Sequence, residues 1–161
     1  MNSFFGKVLS KEQLVNDISS LKKKSKKIVF TNGCFDILHP GHVSYLAEAR
    51  SLGDILVVGL DTDESVRKLK GESRPIQNQE ARAKVLTSLR SVDYVCFFGE
   101  GNPEPLIEAI VPDVLVKGGD WQPEQIRGSK FVRASGGEVK SLKFVEGNST
   151  TNIVGKIKEQ N

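Results

Sequence analysis

The stretch Lys27–Leu60, KIVFTNGCFDILHPGHVSYLAEARSLGDILVVGL, decides the fold. Its first five residues, KIVFT, form an apolar, β-branched run of the kind that makes a strand buried on both faces. Asp54–Leu60, DILVVGL, repeats that character. Between them the spacing predicts a helix from about Gly41 to Leu52, with Val43, Leu46, Ala47 and Ala49 inward and Gly53 as its C-terminal glycine. A strand, a helix and a second strand joined by short connections imply a parallel pair with a helical crossover.

The same alternation continues outward. A short helix with Val66 and Leu69 as apolar positions is followed by the loop KGESRP and a helix marked by Ala81, Val85, Leu86 and Leu89. A strand at Tyr94–Phe98 comes next. Asn102-Pro103 then opens a helix as N-cap and first-turn proline, and Pro112 stops it. Asp113–Lys117 and Glu138–Leu142 complete the strands, and Thr150–Lys158 is a final helix. Upstream, Ser10-Lys11-Glu12-Gln13 fits a capping box, with Leu14, Ile18 and Leu21 on one face of the helix that follows. The pattern predicts an α/β fold: one doubly wound, Rossmann-like domain over 27–161, preceded by a helical extension over 1–26. Its five-stranded parallel sheet takes the order 3-2-1-4-5. In such sheets ligands bind beyond the carboxyl ends of the strands, where the strand order reverses.

Composition narrows the function classes. With 161 residues, 38% of them hydrophobic and 27% charged, the chain is neither disordered nor fibrous. A net charge of +3 does not argue for nucleic acid or an anionic membrane. The lysines of Lys22–Lys27 lack interleaved aromatics and read as a solvated helix end, so no nucleic-acid partner is expected. No apolar run is long enough to span a membrane, and the N-terminus lacks signal-peptide order, so a cytoplasmic protein is expected. Cys34 and Cys96 have no metal-ligand spacing and read as reduced thiols.

The chemistry follows the strands. Both histidines of the chain, His39 and His42, lie beside the start of a helix. Two imidazoles and unpaired helix N–H groups make an anion site that donates hydrogen bonds to phosphate oxygens, and Gly33 and Gly41 allow close backbone approach. No third ligand accompanies them, so no metal site is expected. The pattern is not GxGxxG, which removes the dehydrogenase reading. Lys117 ends the fourth strand, next to the first across the switch point, and projects toward the same anion. Gly118, Gly119 and Asp120 follow it. Asp120 contacts a nucleotide or holds its loop, and Trp121 stacks on a base or packs. Ser149, Thr150 and Thr151 open the last helix, where capping and phosphate binding are compatible.

These segments together resemble a known family. His39-Pro40-Gly41-His42 has the HxGH form of the nucleotidyltransferase superfamily. TNGCFDILHPGH, VVGLDTDESVRKLKGESRP, VLVKGGD and Ser149-Thr150-Thr151 resemble the D-glycero-β-D-manno-heptose 1-phosphate adenylyltransferases of lipopolysaccharide core synthesis, from about Ile28 to Ile157. Cys34 stands where cytidylyltransferases commonly have Thr, and Lys117 where they tend to lack lysine. Asn148 replaces their usual hydrophobic residue, and Asp61 stands where many heptose enzymes have Asn.

The resemblance implies transfer of AMP from ATP to a heptose 1-phosphate, giving ADP-heptose and pyrophosphate, with Mg2+ carried by the triphosphate. It implies catalytic roles for His39, His42 and Lys117. Nucleotide or phosphate binding falls to Asn32, Gly33, Cys34, Phe35, Gly41, Gly118, Asp120, Ser149, Thr150 and Thr151. Asp36, Lys70, Arg74 and Arg82 fall near the substrate or the outer phosphates, although Arg82 reads equally as a helix-surface ion pair. A homodimer, and a separate heptose kinase and phosphatase upstream, are further expectations. The alternatives are a cytidylyltransferase acting on glycerol 3-phosphate or a similar small phosphate, and a non-catalytic nucleotide-binding protein on the same fold.

Overall fold

Among the described residues, six parallel strands form one sheet in the order β1-β4-β3-β2-β5-β6. The computed structural model describes residues 6–143 and 149–160. In chain order the elements are β1 (Lys7–Val8), α1 (Lys11–Lys23), β2 (Ile28–Gly33), α2 (Pro40–Ser51), β3 (Ile55–Asp61), α3 (Asp63–Lys70), α4 (Gln79–Thr87) and β4 (Tyr94–Phe98). They continue with α5 (Glu104–Ile110), β5 (Val114–Gly118), a 3-10 turn (Pro123–Gln125), α6 (Ser129–Ala134), β6 (Glu138–Leu142) and α7 (Thr150–Glu159).

The expected count of five strands is therefore corrected to six. The five predicted strands are β2 to β6, and they keep the order 3-2-1-4-5 among themselves; the addition is β1, paired with β4 at the edge. Two residues, both exposed, carry no apolar alternation that a sequence pattern could register. Helix α1 begins with the expected capping box, Ser10 and Gln13 exchanging hydrogen bonds.

Period-two alternation divides the core between the two sheet faces. Val29, Leu56, Val58 and Leu60 face one side, against Tyr45, Leu46 and Ala49 of α2 and Ala83 and Leu86 of α4. Ile28, Phe30, Val57 and Leu115 face the other, against Leu14 and Ile18 of α1, Leu106 and Ile107 of α5 and Val132 of α6. Several expected inward positions lie outside. Val43 is 45% exposed, Leu69 62% and Val85 42%, and Ala47 is also exposed. In α2 the buried stripe is instead Gly41, Tyr45, Leu46 and Ala49.

Two glycines serve close approach. A Cβ on Gly53 would lie 2.8 Å from the Lys27 carbonyl oxygen, so the turn after α2 can run against the start of β2. Gly128 has φ 84° and caps α6; a Cβ there would meet Ile107 at 2.7 Å. That glycine, which interrupts any longer helix in the sequence, is the N-cap of a short one.

The central strand β2 lies between β3 and β5, so the order reverses beside it. The residues after β2, β3 and β5 therefore converge on one crevice.

Leu14 is fully buried although it belongs to the segment preceding β2. Leu14→Ala should lower unfolding stability by about 2–5 kcal/mol in urea, with one transition seen by fluorescence and circular dichroism alike. A change below about 0.5 kcal/mol, the size of an ordinary surface substitution, would mean that α1 is not part of the cooperative unit.

Candidate active site

Helix α2 starts at the crevice, and its N-cap is a histidine. The His39 backbone is extended (φ −141°, ψ 168°), and its Nδ1 accepts from the His42 backbone N–H at 3.4 Å. With Nδ1 acting as an acceptor, the proton of the neutral ring sits on Nε2, leaving a donor on that edge. One turn places His42 over His39, the rings stacked with centroids 3.8 Å apart and planes 21° apart. Phe35, at φ 46°, closes the far side with its ring 5.2 Å from His42.

Burial keeps this pair uncharged. His39 is held below the ordinary imidazole range by burial. His42 is pushed down to about 4 by burial, by His39 and by Lys70, against a smaller opposing effect of the Ile37 carbonyl. In the free protein at neutral pH both rings are neutral hydrogen-bonding groups.

His42 opens into a cavity of about 160 Å³ that also involves Asn32, Gly33, Cys34, Phe35, Asp36, Tyr45, Lys70, Lys117, Gly118 and Thr150. A second cavity, of about 460 Å³, shares Asn32, Gly33, Cys34, Lys70 and Lys117 with the first. It extends past Asp61, Leu69, Trp121, Ile126 and Arg127. Lys117, at the end of β5, donates to the Asn32 carbonyl oxygen at 3.4 Å and so stands between the two. Burial lowers its pKa, against the pull of the Asp61 carboxylate. Lys70 ends α3 on the exposed rim of both. A hollow of about 500 Å³ over the start of α3 contains none of the predicted site residues.

The opening of α7 reaches the same place. Ser149 caps that helix by accepting from the Asn152 N–H at 3.0 Å, and the Thr150 hydroxyl donates to the Ile37 carbonyl at 3.2 Å. Thr151 is exposed and outside the described cavities, as is Asp120. Asn148 lies outside the described residues.

Three expected ligand contacts are instead committed to the protein. Asp36 is 3% exposed and accepts from Arg74 Nε at 2.6 Å and from the Ile76 and Gln77 amides at 2.9 Å. Burial acts to raise its pKa, but those hydrogen bonds outweigh it and hold the carboxyl below its ordinary value. Arg74 is thereby turned onto Asp36, while its Nη2 is buried with no hydrogen-bond partner among the described residues. Arg82 is 1% exposed and neither a surface ion pair nor a wall of either cavity. Its guanidinium donates to the carbonyl oxygens of Gln77, Cys34 and Asp61 and to the Asp63 carboxylate.

Tyr45 and Arg127 are cavity residues that the sequence reading did not single out. Tyr45 lies one turn beyond His42 and shares a hydrogen bond with Thr31 at 2.5 Å, so the helical repeat from His42 was its available signal. Arg127 has none, since the turns after β5 show no clear periodicity.

Neutral imidazoles, a helix N-terminus and lysines around two connected hollows have the chemistry to receive a polyphosphate and a second, larger group. The bifunctional protein HldE of Actinobacillus pleuropneumoniae serotype 5b is 57% identical over 150 residues, which is 93% of this chain and 32% of that protein. HldE of Haemophilus influenzae strain PittEE is 56% identical over 151 residues, 94% of this chain and again 32% of the relative. The chain thus spans about a third of the length of these curated relatives. The crystal structure of the lipopolysaccharide core biosynthesis protein from Thermoplasma volcanium GSS1 matches with a TM-score of 0.60 at 28% identity, covering 76% of this chain and 99% of that one. A cytidylyltransferase-like family model matches residues 30–155, and with this arrangement at its strand ends the chain belongs to the cytidylyltransferase-like family.

Proposed function

We propose that the chain transfers AMP from ATP to D-glycero-β-D-manno-heptose 1-phosphate, giving ADP-heptose and pyrophosphate for lipopolysaccharide core synthesis. The observation that carries this reading is the stacked His39–His42 pair at the α2 N-terminus, with His42 opening into a cavity shared with Lys117, Lys70 and Thr150. The similarity to HldE and to the lipopolysaccharide core biosynthesis protein supports the sugar assignment.

The acceptor phosphate is already ionised at neutral pH, so no protein base is required. One of its oxygens attacks the α-phosphorus in line, and the bond to the pyrophosphate oxygen breaks on the opposite side. Catalysis is then positioning and charge stabilisation. His39 and His42 donate to the α-phosphate and the leaving group, and Lys117 to the transferring phosphoryl. Lys70 and the Ser149–Thr151 turn hold the outer phosphates. Arg74 and Arg82 act at one remove, by fixing the loop and strand ends around these groups.

Magnesium belongs to the substrate, as the ATP complex. No helix among the described residues is long and apolar enough to cross a membrane. A reaction that consumes ATP belongs to the cytoplasm. Its sugar phosphate would come from a kinase and a phosphatase acting on heptose.

The direct test is pyrophosphate release with ATP or CTP crossed with the heptose 1-phosphate or glycerol 3-phosphate. Turnover should appear only with ATP and the heptose phosphate. Turnover with CTP and glycerol 3-phosphate alone would replace this reading with the cytidylyltransferase one.

His39→Ala and His42→Ala should each lower kcat by about 10²–10³-fold while the fold is retained. Near-full turnover by either would remove that imidazole from the mechanism.

Proton linkage gives a separate check. His42 is neutral down to about pH 4 in the free protein, and a bound polyphosphate stabilises the imidazolium and raises that pKa. A site with a higher pKa in the complex takes up a proton on binding, so affinity falls as pH rises through the pKa of the complex. Calorimetry of a non-hydrolysable ATP analogue at pH 5.5, in buffers of different ionisation enthalpy, should show more proton uptake by the wild type than by His42→Gln. Equal uptake would place His42 away from the phosphates.

A further inference from the structure

The reaction just described leaves one buried charge unused. Asp61 is the last residue of β3 and is 4% exposed. Its carbonyl oxygen is fixed by Arg82 at 2.9 Å, so the side chain projects from an anchored backbone. Of its carboxylate oxygens, Oδ2 has only the Cys34 thiol at 3.7 Å, and Oδ1 is buried with no hydrogen-bond partner among the described residues. Lys117, Arg82 and Lys70 favour its charged form through space, yet burial prevails and raises its pKa. A buried acceptor lacking a donor is destabilising, and such groups persist where a ligand supplies the missing hydrogen bond.

The position says which ligand. Asp61 borders the larger cavity but not the smaller. His42 and Thr150 border only the smaller one, where the outer phosphates belong. In-line displacement requires the nucleophile to approach opposite the leaving pyrophosphate. With pyrophosphate leaving toward His42 and Thr150, the acceptor enters from the larger cavity, past Lys117. A carboxylate repels a phosphate placed against it, so the group meeting Asp61 is a neutral hydrogen-bond donor. On a sugar phosphate that donor is a hydroxyl. Leu69, Trp121 and Ile126 supply apolar wall for the carbon face of the same molecule.

We propose that Asp61 accepts hydrogen bonds from the hydroxyls of the acceptor sugar and selects an acceptor that carries them over one that lacks them. This inference rests on the adenylyltransferase reading above.

The test is steady-state kinetics of the full chain, varying ATP and the heptose 1-phosphate separately, for the wild type, Asp61→Ala and Asp61→Asn. Asp61→Ala should lower kcat/KM for the heptose phosphate by about 10- to 100-fold, the loss expected for a hydrogen bond to a charged group, and leave the KM for ATP unchanged. Asp61→Asn keeps an acceptor oxygen and should recover most of that loss. It also serves as the working variant if Asp61→Ala proves unfolded by circular dichroism. Deoxy analogues of the heptose phosphate should lose rate with the wild type and much less with Asp61→Ala, since the two deletions remove the same contact.

The two readings fail differently. A folded wild type that releases no pyrophosphate from ATP and the heptose phosphate overturns the function and this inference together. An active wild type whose acceptor kcat/KM is unchanged by Asp61→Ala overturns the inference alone. So does a change confined to the KM for ATP, which would move Asp61 to the nucleotide.

Discussion

The Arg82 guanidinium holds the site together. From a helix that packs under the sheet ends, it bonds the Cys34 carbonyl in the loop after β2, the Asp61 carbonyl at the end of β3, the Gln77 carbonyl before α4 and the Asp63 carboxylate in the first turn of α3. These segments meet nowhere else through one side chain. A planar fork of donors suits four acceptors at fixed angles, which a lysine would not. Deleting it would strand a part-buried carboxylate and three backbone carbonyls that no other side chain is shown to satisfy. Asp36 is its counterpart of opposite sign, gathering the Ile76 and Gln77 amides and Arg74. Between them, one cation and one anion press the 71–78 loop against the floor of the crevice, while the ligand-facing charges stay free.

The fold was legible wherever burial imposed a period. β2, β3 and β5 are central strands, buried on both faces, and their uninterrupted apolar runs announced themselves. The Ser10 capping box was a local rule that tertiary structure left intact. β1 was not legible, because two exposed residues carry no pattern. Leu69 misled for a functional reason: an exposed leucine at a helical apolar position borders the larger cavity rather than the core. The site divides similarly. The histidines and Lys117 could be read because their place follows from strand and helix ends. Arg82 and Asp36 could not be assigned correctly, since arginine and aspartate near a phosphate site suggest ligand contacts, and only three-dimensional packing reveals whether protein acceptors and donors claim them first.

Charge in the crevice is arranged by layer. Lys70 at the rim and Lys117 at depth bring positive potential of the kind that attracts an anion into a cleft. The imidazoles behind them are neutral, and Asp61 sits on the side away from His42. Cations alone would bind substrate and product phosphates alike. Uniform binding of that kind tightens the ground state without lowering the barrier. Neutral donors held against a capped helix discriminate better, because a hydrogen bond strengthens as negative charge builds on its acceptor.

The stacking of the two rings sets how far that response can go. Centroids 3.8 Å apart leave little room for two imidazolium charges, and His39 already contributes to the low pKa of His42. Positive charge on one ring therefore opposes positive charge on the other. His39 is the ring whose Nδ1 is engaged by the helix backbone, which fixes its tautomer; His42 is the ring that opens to the cavity. On the proposed mechanism, a proton gained on ligand binding would go to His42, the ring that faces the cavity, and His39 would remain a neutral donor. Helix capping, ring stacking and burial, each a structural effect, together determine which of the two rings can take up positive charge.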